Sequence, residues 1–506
     1  MSSSSQNIQR EPNRFDQRVT IDERTPLISE TINPNLEIRL NDIIEIKTFS
    51  THEAIYLLKK AFPAFIAFLL LQILQVTNVF FVGHMGQTEL AGLALGTMFA
   101  AITCWSIGFG ATAALDTLCP QGYTSGNPKM TGIYTQRAII VMMLGFIPIG
   151  IIWLLSDQIL IYLGQDAELS HYSALYLRYL LLGAPPNLIF WCLEKFLQGQ
   201  GIMKATTYVL AICCPINIFL NYALIWEPLS LGYIGAPIAT TITNWLMLLL
   251  TILYIKYIDG YDAWGGWSHL SFEDWSSFTR LALPGMLTAC ADWWVYELIA
   301  LCAGYIGGVS LASHRLVLTS TLLLYQIPHS LAVAASNRVG NLLGAGLPNK
   351  ATITTNTSLL LAVMGATCNA MILLCFKDSI GYLFTYDEDV VKMVASILPL
   401  AALFQLSDGV GNIGSGVLRG QGRLKTVAAI FLPAFYLIGL PLGLLFAFKF
   451  NMGLKGLWTG VTCASISMAV GIFMAVSMTD WKLEVEECNR RIKSELIVKK
   501  NNVDEL

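Results

Sequence analysis

Long apolar segments alternate with short polar connections through most of the chain. Twelve of them approach or exceed the roughly 20 residues that a helix needs to cross the hydrocarbon core of a bilayer. Because lipid offers the backbone no hydrogen-bond partner, each such segment must be helical. The pattern predicts an all-α membrane protein with twelve transmembrane helices, near residues 54–82, 90–118, 132–156, 169–196, 205–226, 235–258, 276–304, 310–340, 352–376, 390–417, 426–448 and 455–478.

Both ends of the chain are polar. Residues 1–50 lack the apolar stretch of a cleavable signal peptide and predict a disordered tail, and residues 481–506 form a second, charged tail. Lys and Arg are more frequent in the even-numbered connections and the C-terminal tail than in the odd-numbered connections. By the positive-inside rule, this bias predicts that both termini face the cytosol.

An internal repeat emerges when the sequence is shifted by 221 residues against itself. The stretch LQGQGIMK at 197–204 then aligns with LRGQGRLK at 418–425, and Pro63 aligns with Pro284. Six spans in each half give the two halves the same orientation, an architecture of transporters that bind substrate between the repeats. We therefore predict two parallel six-helix repeats, an N-lobe at 51–265 and a C-lobe at 266–480.

Composition narrows the function further. Hydrophobic residues make up 55% of the chain and charged residues 13%, against about 25% charged in a typical soluble domain. The net charge of −3 gives no indication of a nucleic-acid partner. The eleven cysteines form no CxxC pair and no Cys/His cluster, so we expect buried core cysteines rather than disulfides or a metal site. No P-loop, HExxH or GxSxG motif is present, so neither an ATP-driven pump nor an enzyme is predicted, and no cofactor is expected.

Three acidic residues lie inside predicted spans of the C-terminal half. Asp292 and Glu297 occupy the middle of LPGMLTACADWWVYELIALCAG at 283–304, and Asp408 lies in the tenth span. A charge at the bilayer centre costs about 2.5–3.5 kcal/mol on insertion scales. At the 221-residue shift the three acids align with uncharged residues, Leu71, Val76 and Asn187. The acids were therefore not inherited with the repeat, and they are the first candidates for proton or cation coupling and substrate binding.

Each acid also has a structural interpretation. Asp292 could form an ion pair with Arg315 at a similar depth, and Glu297 could pair with a neighbouring helix. Five residues turn Glu297 about 140° away from Asp292, which places the two on different walls of a cavity. The glycines after Asp408 match G-x-G-x-x-G, but no strand precedes them, so they more plausibly permit close helix packing.

Further polar and aromatic residues in the spans are secondary candidates for the cavity or its gate. Instead of lining a cavity, the aromatic residues could simply pack in the core. Asp116 lies near the cytosolic end of the second span, so it could instead occupy the membrane surface. These candidates are Asn78, Asp116, Trp293, Tyr296, Arg315 and Gln326.

Several of these stretches resemble the eukaryotic branch of the multidrug and toxic compound extrusion (MATE) transporters. LPGMLTACADWWVYE resembles the seventh span of that family, ALDTLCPQGYTSG its second span, AASNRVGNLLGAG its eighth and LFQLSDGVGNIGSGVLRGQG its tenth. The resemblance covers about residues 50–480. It implies two six-helix lobes around a V-shaped cavity and a cation-coupled antiporter that exports organic solutes. It also implies that Asp292 and Asp408 match the C-lobe acids tied to coupling, and that Glu297 matches the second acid of the seventh span.

Two positions depart from the family pattern. Bacterial and archaeal members have an aspartate in the first span, where this chain has Asn78. The resemblance therefore does not carry protonation of the N-lobe over to this chain. Animal organic-cation members have a further glutamate in the eighth span, where this chain has Thr319, so their substrate range does not carry over either.

The N-terminal tail contains a candidate sorting signal. The stretch ERTPLI at 23–28 fits the acidic dileucine pattern through Glu23, Leu27 and Ile28. A clathrin adaptor that reads this signal would direct the protein to a vacuolar or lysosome-like membrane, with the plasma membrane as the alternative destination.

The sequence thus predicts a secondary transporter, a proton-coupled antiporter that exports organic cations, xenobiotics or metabolites from the cytosol and works as a monomer. A sodium-coupled antiporter would use the same acids together with oxygen ligands from Asn or Thr. A polar-lipid flippase on a related fold is the third alternative, and a channel is disfavoured because a pore needs no buried titrating acids.

Overall fold

The computed structural model describes the backbone of residues 34–504 and the side chains of residues 48–493. Within that part of the chain all regular secondary structure is helical. The expectation of an all-α fold is therefore confirmed. The proposed sorting residues Glu23, Leu27 and Ile28 lie outside the described residues.

Eleven single helices are long and apolar enough to cross a membrane, and one pair of helices bent by 56° supplies the fourth span. Counting that pair as one span confirms the predicted twelve. In chain order the spans are Thr48–Gly83, Gln87–Thr124, Lys129–Leu154, Ala167–Leu180 with Ala184–Gly199, Lys204–Ile225, Gly232–Tyr257, Trp275–Ile306, Gly308–Gly344, Pro348–Cys375, Glu388–Gln421, Leu424–Lys449 and Leu454–Ser477.

The fourth span is broken where its sequence disfavours a continuous helix. Pro185 and Pro186 occupy the first turn of Ala184–Gly199. Proline has no N–H to donate to the preceding turn, so it begins a new helix more readily than it continues an old one. The hydrophobic pattern alone predicts one uninterrupted helix over 169–196, and this prediction is wrong at the break between Leu180 and Ala184.

Two separate hydrophobic cores support the two-lobe arrangement. One is built from buried residues between Val82 and Ala282, and the other mainly from residues between Ala291 and Val476. The seventh span contributes to both, because its first turns join the N-terminal core and its later turns join the C-terminal core. This span therefore passes from one lobe to the other.

Consecutive spans run in opposite directions, so the even-numbered connections share one end of the bundle. We call it the basal end; it carries residues 125–128, 200–203, 345–347 and 421–423. A further helix, Trp481–Asp504, follows the twelfth span at this end. It is called the C-terminal helix below.

Glycines bring the two lobes into contact where the second and seventh spans cross. A Cβ atom built on Gly110 would lie 2.5 Å from the Cα atom of Met286, and one on Gly285 would lie 2.5 Å from the Gly110 carbonyl oxygen. Neither contact can be relieved by a side-chain rotation, because the atoms that would collide are backbone. This crossing accepts no side chain at either position.

We predict that Gly110→Val lowers the melting temperature of the purified protein, since overpacking of this kind costs about 1–3 kcal/mol. Gly145→Val is the matched control, because a Cβ atom there meets nothing within 4 Å. Thermal unfolding in detergent, followed by fluorescence, measures both variants. Equal melting temperatures for the two would contradict the close crossing.

Candidate functional site

Two of the three C-lobe acids, Asp292 and Asp408, lie between the seventh, eighth and tenth spans. Asp292 lies on the seventh span, and Asp408, which is 9% exposed, lies on the tenth. The side chains of Tyr296 and Tyr325 interact electrostatically with both carboxyl groups, and the two acids interact with each other. We call these four residues the acidic site. The structure therefore brings together two of the three acids that the sequence singled out.

Small residues on the tenth span allow this convergence. A Cβ atom on Gly416 would lie 2.5 Å from the Ala332 carbonyl oxygen of the eighth span, and one on Gly409 would lie 2.9 Å from Ala366 of the ninth. The glycines after Asp408 thus permit close helix packing, as the sequence analysis predicts.

The two acids of the acidic site have no basic partner. Among residues 48–493, no Lys, Arg or His nitrogen lies within ion-pair distance of Asp292 or Asp408. Arg315, considered above as a partner for Asp292, pairs instead with Glu297 at 3.2 Å. Glu297 therefore forms an ion pair with a neighbouring helix in this conformation, as its structural interpretation expects. The ion pair between Asp292 and Arg315 is not formed.

Aromatic rings connect the acidic site to the N-lobe. The ring centroids of Trp293 and Phe109 of the second span are 6.2 Å apart, and those of Phe109 and His329 of the eighth span are also 6.2 Å apart. His329 also stacks on Tyr325 at 5.3 Å and contacts Phe68 of the first span at 4.8 Å. These five side chains form an aromatic cluster between the lobes.

Two other secondary candidates have local partners. Gln326 is buried and donates to the Leu322 carbonyl oxygen at 3.2 Å, one turn back on its own helix. Asn78 donates to Thr240 at 2.9 Å, within the N-lobe. The first-span position is thus a neutral hydrogen-bonded group and not a charged one.

Asp116 is the centre of an ion cluster between the lobes at the basal end. Its carboxylate lies 2.7 Å from Lys195 of the fourth span and 3.5 Å from Arg419 of the tenth. Asp116 is only 4% exposed. The sequence predicts that Asp116 lies near the end of its span. Nothing in the sequence around Lys195 or Arg419 indicates that either residue pairs with Asp116.

Backbone contacts reinforce this cluster. Gln121 donates to the Gly420 carbonyl oxygen at 2.8 Å, and Thr124 donates to the Asn341 carbonyl oxygen at 2.8 Å. Nearby, Arg338 of the eighth span forms an ion pair with the buried Glu53 of the first span. Together these bonds join the two lobes at the basal end, and we call them the basal seal.

We predict that Asp116→Asn weakens the basal seal, because it leaves Lys195 and Arg419 without their shared counter-charge. Removing one partner of a buried ion pair typically costs about 3–5 kcal/mol. Hydrogen exchange of the peptide covering 115–124 should accelerate. Glu388→Gln is the control, since Glu388 pairs only with the exposed Lys392 on its own helix. Unchanged exchange in Asp116→Asn would contradict the assigned role.

Comparison with known families gives a match in each half of the chain. The MatE family model matches residues 63–223 and 284–445. The two matches begin 221 positions apart, which is the internal shift found in the sequence.

Curated relatives and solved structures agree with this match. An uncharacterized transporter of Schizosaccharomyces pombe is 39% identical over 87% of this chain and 82% of its own length. Multidrug and toxin extrusion protein 1 of Homo sapiens is 33% identical over 88% of this chain and 78% of its own. The crystal structure of the eukaryotic MATE transporter AtDTX14 has a TM-score of 0.83 at 30% identity, covering 88% of this chain and 100% of that one.

Proposed function

The chain belongs to the MatE family of membrane transporters, and from this premise we propose that it is a proton-coupled antiporter of organic cations. The family membership expected from the motifs is confirmed, as is the fold of two six-helix repeats. The protein is therefore an integral membrane transporter. The coupling ion, the substrate class and the direction are the proposal.

One observation carries the proposal: Asp292 and Asp408 are close together inside the bundle and lack a basic partner in the part of the chain that the structure describes. Two carboxylates cannot both remain ionised in such a place without compensation, because burial and mutual repulsion both disfavour the charged form. At least one of them must therefore bind a proton or a cation. A site that requires one positive charge accepts either species, and competition between them couples their movement.

The acidic site and the aromatic cluster together suit an organic cation. Tyr325 interacts with both carboxyl groups, and Trp293, Phe109, His329 and Phe68 extend the aromatic surface to the N-lobe. A cation over an aromatic face gains about 0.5–2 kcal/mol, and more when it is desolvated. A substrate with a positive centre and a flat apolar body would satisfy both parts of the site.

The transport cycle follows from these two sites. With the basal end open, an organic cation binds to the deprotonated acidic site. The basal seal then forms, as in the described conformation, and the opposite side opens. Protons from that side neutralise the carboxyl groups, the cation leaves, and the protonated transporter returns to release protons at the basal end.

Orientation and destination complete the proposal. The enrichment of Lys and Arg at the basal end supports a cytosolic basal end with both termini inside. On this orientation residues 51–265 and 266–480 form the N- and C-lobes, and the predicted tails 1–50 and 481–506 face the cytosol. Where the structure describes these tails, from Pro34 onwards and over Trp481–Asp504, they are helical, so the prediction of a disordered tail is wrong for 34–50. The dileucine pattern at Glu23, Leu27 and Ile28 supports recognition by a clathrin adaptor and delivery to a vacuolar membrane.

We predict that Asp292→Asn and Asp408→Asn each reduce proton-driven uptake of a fluorescent organic cation roughly 30-fold or more. A desolvated charge pair contributes on the order of 2 kcal/mol, and every 1.4 kcal/mol is about tenfold in binding. Uptake is measured in proteoliposomes with an acidic lumen, without sodium or ATP. Glu388→Gln is the matched control and should transport as the wild type does.

The remaining outcomes separate the alternatives. Uptake that follows a sodium gradient at fixed pH would replace the proton by sodium as the coupling ion. Movement of a fluorescent phospholipid without movement of the soluble cation would indicate a lipid flippase. Full proton-driven uptake by both Asn variants would remove the acids from the coupling mechanism.

A further inference from the structure

The C-terminal helix packs at the basal end of the C-lobe. It packs on the basal ends of the eighth and ninth spans, where Cys488 is fully buried and Ile492 is 7% exposed. Trp481 and Val485 add to the C-lobe core. The helix is therefore a docked part of the C-lobe over these turns.

One of its charged side chains holds the short connection between the tenth and eleventh spans. Arg491 donates from its Nη2 atom to the Gln421 carbonyl oxygen at 2.8 Å. The next residue, Gly422, has a φ of +87° and leaves room for the Arg491 guanidinium group, since a Cβ atom at Gly422 would collide with it. Glycine is thus needed here both for the left-handed turn and for the close approach.

The same connection is tied to the start of the C-terminal helix. Arg423 donates to the Thr479 hydroxyl at 3.2 Å, and its guanidinium lies 3.7 Å from the Glu484 carboxylate. Residues 421–423 are therefore held on two sides by residues that follow the twelfth span.

This connection directly follows the residues that reach across the lobes. Arg419 supplies the ion contact to Asp116, and the Gly420 carbonyl oxygen accepts from Gln121. Only one residue separates Gly420 from Gly422. A movement of the connection would displace the C-lobe half of the basal seal.

We propose that the C-terminal helix is a brace of the basal seal and that Arg491 is its positioning residue. By holding residues 421–423, the helix keeps Arg419 and Gly420 in position for the N-lobe and favours the conformation with a closed basal end. The proposal rests on the transport cycle only in requiring that the basal end open and close, and it is independent of the coupling ion.

The test is hydrogen exchange of the full-length protein in lipid nanodiscs at one pH, without a gradient. In Arg491→Gln, peptides covering 115–124 and 338–344 should exchange about tenfold faster, the change expected from losing one hydrogen bond with a charged donor. Peptides at the opposite end, such as 296–306, should become more protected as the population shifts. Arg491→Lys keeps a donor and should restore much of the wild-type pattern.

Arg490→Gln is the matched control, because Arg490 pairs with Glu487 on its own exposed face. It should leave all of these peptides unchanged. Glu484→Gln, which removes the contact with Arg423, is a second variant that should shift the same peptides in the same direction. Faster exchange confined to residues 421–425 and the C-terminal helix would overturn the proposal, because it would mean local loosening without any effect on the seal.

Discussion

A charge inside a helical bundle must be compensated, and this constraint separates two sets of acids in the described spans. Asp116, Glu53 and Glu297 each have a basic partner, and their ion pairs fix contacts between helices. Asp292 and Asp408 share their site with tyrosines and have no such partner. On the proposed cycle, the first group holds the basal end closed, and the second group takes its positive charge from the solution.

The fold was predictable because span length and the 221-residue register are properties of the sequence itself. The break in the fourth span was missed because hydrophobicity continues through it, although Pro185 and Pro186 signalled a new helix start. The two acids of the acidic site were predictable as candidates from the cost of placing them in lipid. Their surroundings were not, since the pairing of Arg315 with Glu297 and the reach of Arg419 to Asp116 depend on how helices distant in sequence pack.

The Asp116–Arg419 contact of the basal seal is not repeated between the two halves of the chain. At the 221-residue shift, Asp116 of the second span aligns with Asn337 of the eighth, and Arg419 of the tenth aligns with Gln198 of the fourth. The repeat thus offers two equivalent crossings of the lobes, and only one of them carries an acid and an arginine. The tenth span therefore contributes a charged residue both to the basal seal, through Arg419, and to the acidic site, through Asp408. Neither residue has a charged counterpart at the equivalent position of the N-lobe.

That shared span connects the chemistry to the seal. Asp408 and Arg419 are eleven residues apart on one helix, which corresponds to about 16 Å along its axis. The stretch between them contains four glycines that pack closely against the eighth, ninth and twelfth spans. A change in the charge of Asp408 therefore has a continuous helical route to Arg419, and the C-terminal helix holds the far end of that route through Gln421. Coupling then requires no contact between the acids and the seal, only a tenth span that occupies two positions, one for each state of the acidic site.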